Sequence, residues 1–217
     1  MRRVFVDPGA PQRDAIVEAA TWILRGGVVA FPTDTLYGLG VDPFRADAVA
    51  KAFAVKGRSG ERALPLIAAD RDQIARYLGP LSAAAARLAE CFWPGPLTVV
   101  VPAPAALARG VTGAGGTVGV RVPSHDVARA IAVAAGRPIT ATSANVSGEP
   151  ATPDPGEVER AIGDRIDLLI DAGRTPGGAP STIVDATGGR PRLIREGAVA
   201  WQEIVAWLHN VRDGRPA

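Results

Sequence analysis

Residues 181–185 (STIVD) and 192–195 (RLIR) both read as strands, and only six residues, ATGGRP, separate them. The two strands follow one another without a helix between them, so some strand pairs should be antiparallel. Elsewhere, short β-branched runs alternate with Ala-, Leu- and Arg-rich stretches of helical periodicity, the pattern of an α/β chain. The two observations together predict a mixed sheet.

Further strands are expected at 4–6, 28–31, 64–68, 97–101, 117–122, 138–141 and 168–171. Ile16, Ala19, Ala20, Ile23 and Leu24 recur at helical spacing, and Gly26-Gly27 stops that helix. Other helices are expected at 47–55, after Asp70 with Gln73 three residues on, at 82–92, 126–135 and 158–162, and around Ile204, Val205 and Leu208. The Pro/Gly-rich pieces at 102–116, 147–156 and 173–180 read as loops around a rigid sheet. No internal repeat and no evident linker divides the chain, so 1–217 reads as a single domain with its core at about 12–200 and a C-terminal helix and short tail after it.

Hydrophobic residues make up 47% of the chain but aromatics only 5%, which leaves the core to Ala, Val, Leu and Ile. A net charge of +2 does not announce a nucleic-acid binder. Of 24 basic residues only Lys51 and Lys56 are lysines, so each retained lysine is informative. The lone Cys91 excludes a disulfide within the chain and a Cys-rich metal site; with Phe92 and Trp93 it is expected in the core. His125 and His209 suggest surface residues and no metal cluster. No apolar run approaches the ~18 residues needed to span a bilayer, so the expected setting is cytoplasmic, without a membrane.

Six segments could carry chemistry. In FPTDTLYGLG (31–40), Thr33, Asp34, Thr35 and Tyr37 offer hydroxyls and a carboxylate just past a strand's C-terminal end, where open α/β sheets place ligands. An ordinary turn with hydroxyl caps accounts for the same residues. In VKGR, Lys56 and Arg58 straddle a glycine at a helix end, as dipole-favoured cations or as a phosphate clamp. Arg121, inside the apolar strand TVGVRVP, must be paired with an internal carboxylate or a bound anion. Ser143, Asn145 and Ser147 in TSANVSGEP could bind phosphate oxygens or a ribose, or simply cap the local backbone. Ser181, Thr182 and Arg195 lie near strand ends. No Walker loop or dinucleotide glycine fingerprint is present, so any nucleotide would be held by a cage of Arg, Lys and hydroxyls.

Taken in order, PTDTLYGLG, KGR followed by PLI, PGPLT, VGVRVP, SANVSG, STIVD and IREG resemble the YrdC-like family of threonylcarbamoyl-AMP synthases. Any one piece is weak; the ordered set, over about 32–197, is specific. The resemblance implies an α/β fold: a twisted open mixed sheet with flanking helices and a large concave cavity. It implies that L-threonine and bicarbonate (or CO2) form a carbamate that attacks the α-phosphate of ATP, with Mg2+ accompanying the nucleotide. Pyrophosphate leaves, and partner proteins transfer the threonylcarbamoyl group to adenosine at position 37 of certain tRNAs. The same resemblance puts Lys56, Arg58, Thr117, Ser143, Asn145 and Arg195 at the nucleotide, with Lys56 and Arg58 central to catalysis. It puts Thr35, Arg121 and Ser181 at threonine, and has Thr33, Tyr37 and Thr182 shape the pocket. One departure is PLIAAD, where Ala68 and Ala69 replace a histidine that many relatives carry. The chain resembles the short form, without the extra C-terminal domain of longer relatives. The competing reading is an RNA-binding module of the same fold without synthase activity, and weak direct contact with RNA or tRNA would fit either. Weak net charge and the lack of a basic stripe interleaved with aromatics count against the module.

Overall fold

The computed structural model describes residues 1–57, 63–113 and 115–212, with side chains through His209. In chain order the elements are β1 (Arg2–Phe5), α1 (Arg13–Leu24), β2 (Val29–Phe31), β3 (Gly38–Gly40), α2 (Ala46–Val55) and β4 (Leu66–Ile67). Next come α3 (Arg71–Leu78), α4 (Ala83–Phe92), β5 (Leu97–Pro102), β6 (Thr117–Arg121), α5 (Asp126–Ala135), β7 (Ile139–Thr140) and β8 (Thr142–Ser143). The chain continues through α6 (Pro155–Ile162), β9 (Leu168–Asp171), β10 (Thr182–Asp185), β11 (Arg192–Arg195) and α7 (Trp201–Arg212).

The strands form two open mixed sheets where the sequence suggested one. The first runs β1-β9-β2-β3-β8 and the second β11-β10-β5-β6-β4-β7. The expected antiparallel pairing is present: β10 and β11 are antiparallel, while β10 is parallel to β5. The unforeseen strands are β3 and β8. At three and two residues, with sequences Gly-Leu-Gly and Thr-Ser, they carry no alternation that could reveal them.

Only Ala141 separates β7, in the second sheet, from β8, in the first. The chain therefore crosses from sheet to sheet within residues 139–143. Backbone hydrogen bonds hold this seam: Thr140 N–H donates to Val41 O (3.1 Å), Ala141 N–H to Pro65 O (2.8 Å) and Ala144 N–H to Tyr37 O (3.0 Å). The Thr140 hydroxyl accepts from Val41 N–H at 2.9 Å.

The larger core packs α2 and α4 with apolar side chains from both sheets, among them Ala30, Leu39, Leu66, Val99, Val120 and Val184. A second core sets Ile16, Ala19 and Ile23 of α1 against Val127 and Ile131 of α5, over Phe31 and Ile67. Ile23 and Ile131 are wholly inaccessible; burial of such a side chain contributes about 1.5–3 kcal/mol. The alanines between them let the two helices approach closely.

Helix starts follow the sequence signals. Asp70 accepts from Gln73 N–H at 2.7 Å, and the Gln73 side chain reaches back to Ala69 N–H at 2.9 Å. Ser82 caps α4 through Ala85 N–H at 3.2 Å. Two expectations are corrected. Cys91 is exposed, because the buried face of α4 belongs to Ala84, Ala85, Leu88 and Ala89. His125 is partly buried where the chain enters α5. Among the described residues, no helix is long and apolar enough to cross a membrane.

Candidate functional site

The polar segment after β2 is the connection of a β-hairpin. β2 and β3 pair antiparallel with Phe31 opposite Gly38 and Val29 opposite Gly40. A Cβ at Gly40 would sit 2.5 Å from Phe31 Cε1 and 3.3 Å from Thr140 O, so only glycine fits there. The connection is tied down along its length. Thr33 Oγ1 donates to Leu36 O (2.7 Å), and Thr35 O accepts from the Thr175 hydroxyl (2.7 Å) and Gly177 N–H (2.8 Å). The Tyr37 hydroxyl donates to Gly173 O (2.7 Å), and burial pushes its pKa up. Tyr37 is thus a fixed wall, neutral at physiological pH. The Thr35 hydroxyl has no hydrogen-bond partner among the described residues.

This hairpin lines one side of a cavity of about 610 Å3 at the seam between the sheets. Ala141, Thr142 and Ser143 line it from the crossing segment, Thr98, Arg121 and Arg195 from the second sheet, and Ser181 from just before β10. Lys56 reaches the cavity from the C-terminal end of α2. It is 2% exposed, and its ammonium donates to Ser143 O (2.6 Å), Asn145 O (3.0 Å) and Asn145 Oδ1 (3.0 Å), with Ser143 Oγ at 3.4 Å. The Ser143 hydroxyl donates to Asn145 Oδ1 (2.6 Å), and Asn145 Nδ2 donates to Glu149 O (2.6 Å). Lys56 O accepts from Ser147 N–H at 2.9 Å. One lysine therefore organises the whole 143–149 loop, a task its position in the sequence did not disclose. Ser147 is also a lining residue, and its Oγ is buried with no partner among the described residues.

Arg121 resolves the alternative left by its sequence: its partner is an internal carboxylate. Nη1 donates to Asp34 Oδ2 at 2.8 Å, with the two side chains only 8% and 5% exposed. Burial holds the guanidinium below the usual arginine range, opposed by the Asp34 charge. Opposite it, the Thr98 hydroxyl donates to Ser181 Oγ (2.9 Å), and Arg195 Nη2 donates to Ser181 O (2.7 Å). Burial also lowers the Arg195 pKa.

Of the residues expected at a site, Thr33, Thr35, Tyr37, Lys56, Arg121, Ser143, Asn145, Ser181 and Arg195 all line this cavity. Arg58 lies outside the described residues. Thr182 is corrected: it does not line the cavity, because its hydroxyl is turned into the backbone. It donates to Val199 O and accepts from Gly197 N–H (2.9 Å) and Val199 N–H (3.0 Å). Thr117 is also absent from the lining; it starts β6 opposite Pro102, and its carbonyl accepts from Gly113 N–H at 2.8 Å. Thr98 is a lining hydroxyl that sequence reasoning missed, since an apolar strand entry gave no sign of it. Asp34 was visible as a carboxylate but had no assigned partner.

His125 gives the site region a pH signature. Burial pushes its pKa below 6.5, although Asp34 and Asp126 pull it upward. On acidification the unfolded chain takes up this proton first, so stability falls as pH drops through about 6.5 toward the folded-state value. We expect the melting temperature to decline between about pH 7 and pH 5, and His125→Gln to flatten that decline in a thermal-melt series. An unchanged slope in His125→Gln would remove this group from the account.

Three comparisons place the chain. A family model for the Sua5/YciO/YrdC domain, described as telomere recombination, matches residues 21–197. A threonylcarbamoyl-AMP synthase from Pyrococcus abyssi is 38% identical over 194 residues, covering 89% of this chain and 57% of that protein. One from Halorhodospira halophila is 45% identical over 172 residues, covering 79% and 90%. The chain thus spans little more than half of the first relative and most of the second. The crystal structure of P. abyssi Sua5 complexed with L-threonine matches with a TM-score of 0.90 at 34% identity, covering 100% of this chain and 65% of that one. With the fold, the ordered motifs and a family match over most of its length in agreement, the chain belongs to the Sua5/YciO/YrdC family.

Proposed function

We propose that the chain is an enzyme, an L-threonylcarbamoyladenylate synthase that uses L-threonine, bicarbonate (or CO2) and ATP. The observation that carries this reading is a single cavity onto which the Lys56–Ser143–Asn145 cluster, Arg195, Thr35, Arg121 and Ser181 all face. Relatives that cover most of this chain bear the name threonylcarbamoyl-AMP synthase, and one solved relative is complexed with L-threonine.

In this reading Arg121 receives the threonine carboxylate through guanidinium donors that Asp34 leaves over, a geometry suited to a planar acceptor. Thr35 and Ser181 supply hydroxyls beside it. The carbamate oxygen attacks the α-phosphorus of ATP, the bond from that phosphorus to the bridging oxygen breaks, and pyrophosphate departs. Charge then spreads over phosphate oxygens. Lys56 and Arg195 supply fixed positive charge to that region, so little reorganisation is needed during the step. Ser143 and Asn145 orient the nucleotide from the loop that Lys56 holds. Among the described residues no group of acidic, His or Cys side chains forms a metal cage, and Glu149 is the carboxylate in the lining. A single carboxylate suits Mg2+ carried in on the triphosphate. The adenylate would pass to threonylcarbamoyl-transfer proteins acting on tRNA in the cytoplasm.

The test is pyrophosphate release by the purified chain with ATP, Mg2+, bicarbonate and L-threonine. Release is expected only when threonine is present. Threonine-independent release, or none beside an RNA mobility shift, would replace this reading with another.

A further inference from the structure

Asp34 sits in a loop that otherwise offers hydroxyls, and its carboxylate is held from two directions. Oδ2 accepts from Arg121 Nη1, at the end of β6. Oδ1 accepts from the Ser124 hydroxyl (2.9 Å) and from His125 N–H (2.6 Å), at the entry to α5. Both oxygens are engaged, so the carboxylate cannot rotate without breaking a hydrogen bond.

Arg121 stands differently. Its contact with Asp34 is its one side-chain hydrogen bond among the described residues, and none of its other side-chain nitrogens is sealed away from the cavity without a partner. A guanidinium is rigid and planar, so fixing one nitrogen largely fixes the direction of the remaining donors. A buried cation also needs a counter-charge to stay in place, and here that charge lies to one side.

We propose that Asp34 is the positioning residue for Arg121. Its carboxylate, locked by Ser124 and the His125 amide, sets the plane and reach of the guanidinium fork that receives the carboxylate of the amino-acid substrate. The proposal rests on the threonine reading above. An ion pair serving stability alone would give the same contacts but would not discriminate between ligands with and without a carboxylate.

The experiment compares L-threonine with L-threonine amide, which lacks the carboxylate, by calorimetric titration of the full chain. A non-hydrolysable ATP analogue and a thermal melt serve as controls. In Asp34→Asn the affinity for threonine is expected to fall at least about tenfold, while affinities for the amide and the ATP analogue stay within about twofold. Asp34→Glu keeps the charge but displaces it by one methylene. It is expected to show the same selective loss, and it provides the readout if Asp34→Asn does not fold. Equal losses for threonine and its amide, or undiminished threonine affinity in a folded variant, would overturn the positioning role. A wild-type chain that binds no threonine at all would overturn the threonine reading itself, and the role of Asp34 with it.

Discussion

Lys56→Ala is expected to lower threonine-dependent pyrophosphate release by at least about a hundredfold. Two losses combine. A fixed positive charge disappears from the cavity, and the oxygens of Ser143 and Asn145 lose the donor that gathers them. Buried acceptors left without a donor each cost about 1–3 kcal/mol, so the 143–149 loop should also loosen. Lys56→Arg should not restore activity. The site is a compact nest of oxygens around a point charge, and a longer planar fork cannot enter it. Steady-state turnover with a thermal melt separates the two losses. Turnover near wild type in Lys56→Ala would remove the lysine from both roles.

Gly197→Ala should be nearly as damaging, for a purely steric reason. A Cβ there would lie 2.0 Å from Pro180 O and 2.7 Å from Ser181 C. Both are backbone atoms, so no side chain can rotate away. The chain must shift at 180–181 or at 197, and a shift of this kind costs about 1–3 kcal/mol or more. Ser181 carries a lining hydroxyl, and its carbonyl holds Arg195 at 2.7 Å, so the displacement reaches the cavity directly. We expect a lowered melting temperature and turnover reduced about tenfold or more. A variant with wild-type stability would mean that the backbone there yields more easily than its packing suggests.

The two predictions mark what the sequence discloses and what it hides. Helices with strong periodicity and named caps were legible: residues 126–135 were anticipated as a helix, and Asp70 and Ser82 were recognisable helix starts. That some strands pair antiparallel, as β10 and β11 do, followed from the lack of a helix between residues 185 and 192. The division into two sheets did not, because β3, β7 and β8 are too short for any period and are defined by their partners. At the site, residue type identified the polar patches and the ordered motifs linked them. Side-chain direction was hidden. Ser181 and Thr182 are neighbours of similar chemistry, yet one faces the cavity and the other closes a backbone turn at Val199. Alternation along a strand decides such pairs, and its phase is fixed only by the packing.

The crossing of the chain at residues 139–143 also has a mechanical meaning. Ser143 belongs to the first sheet and Thr35 to the connection between its strands β2 and β3, while Arg121 and Arg195 belong to the second sheet and Ser181 immediately precedes its strand β10. The Asp34–Arg121 pair already spans the gap between them. A ligand touching both groups would act as a rivet between the two sheets, so that its binding free energy would add to the stability of the pair.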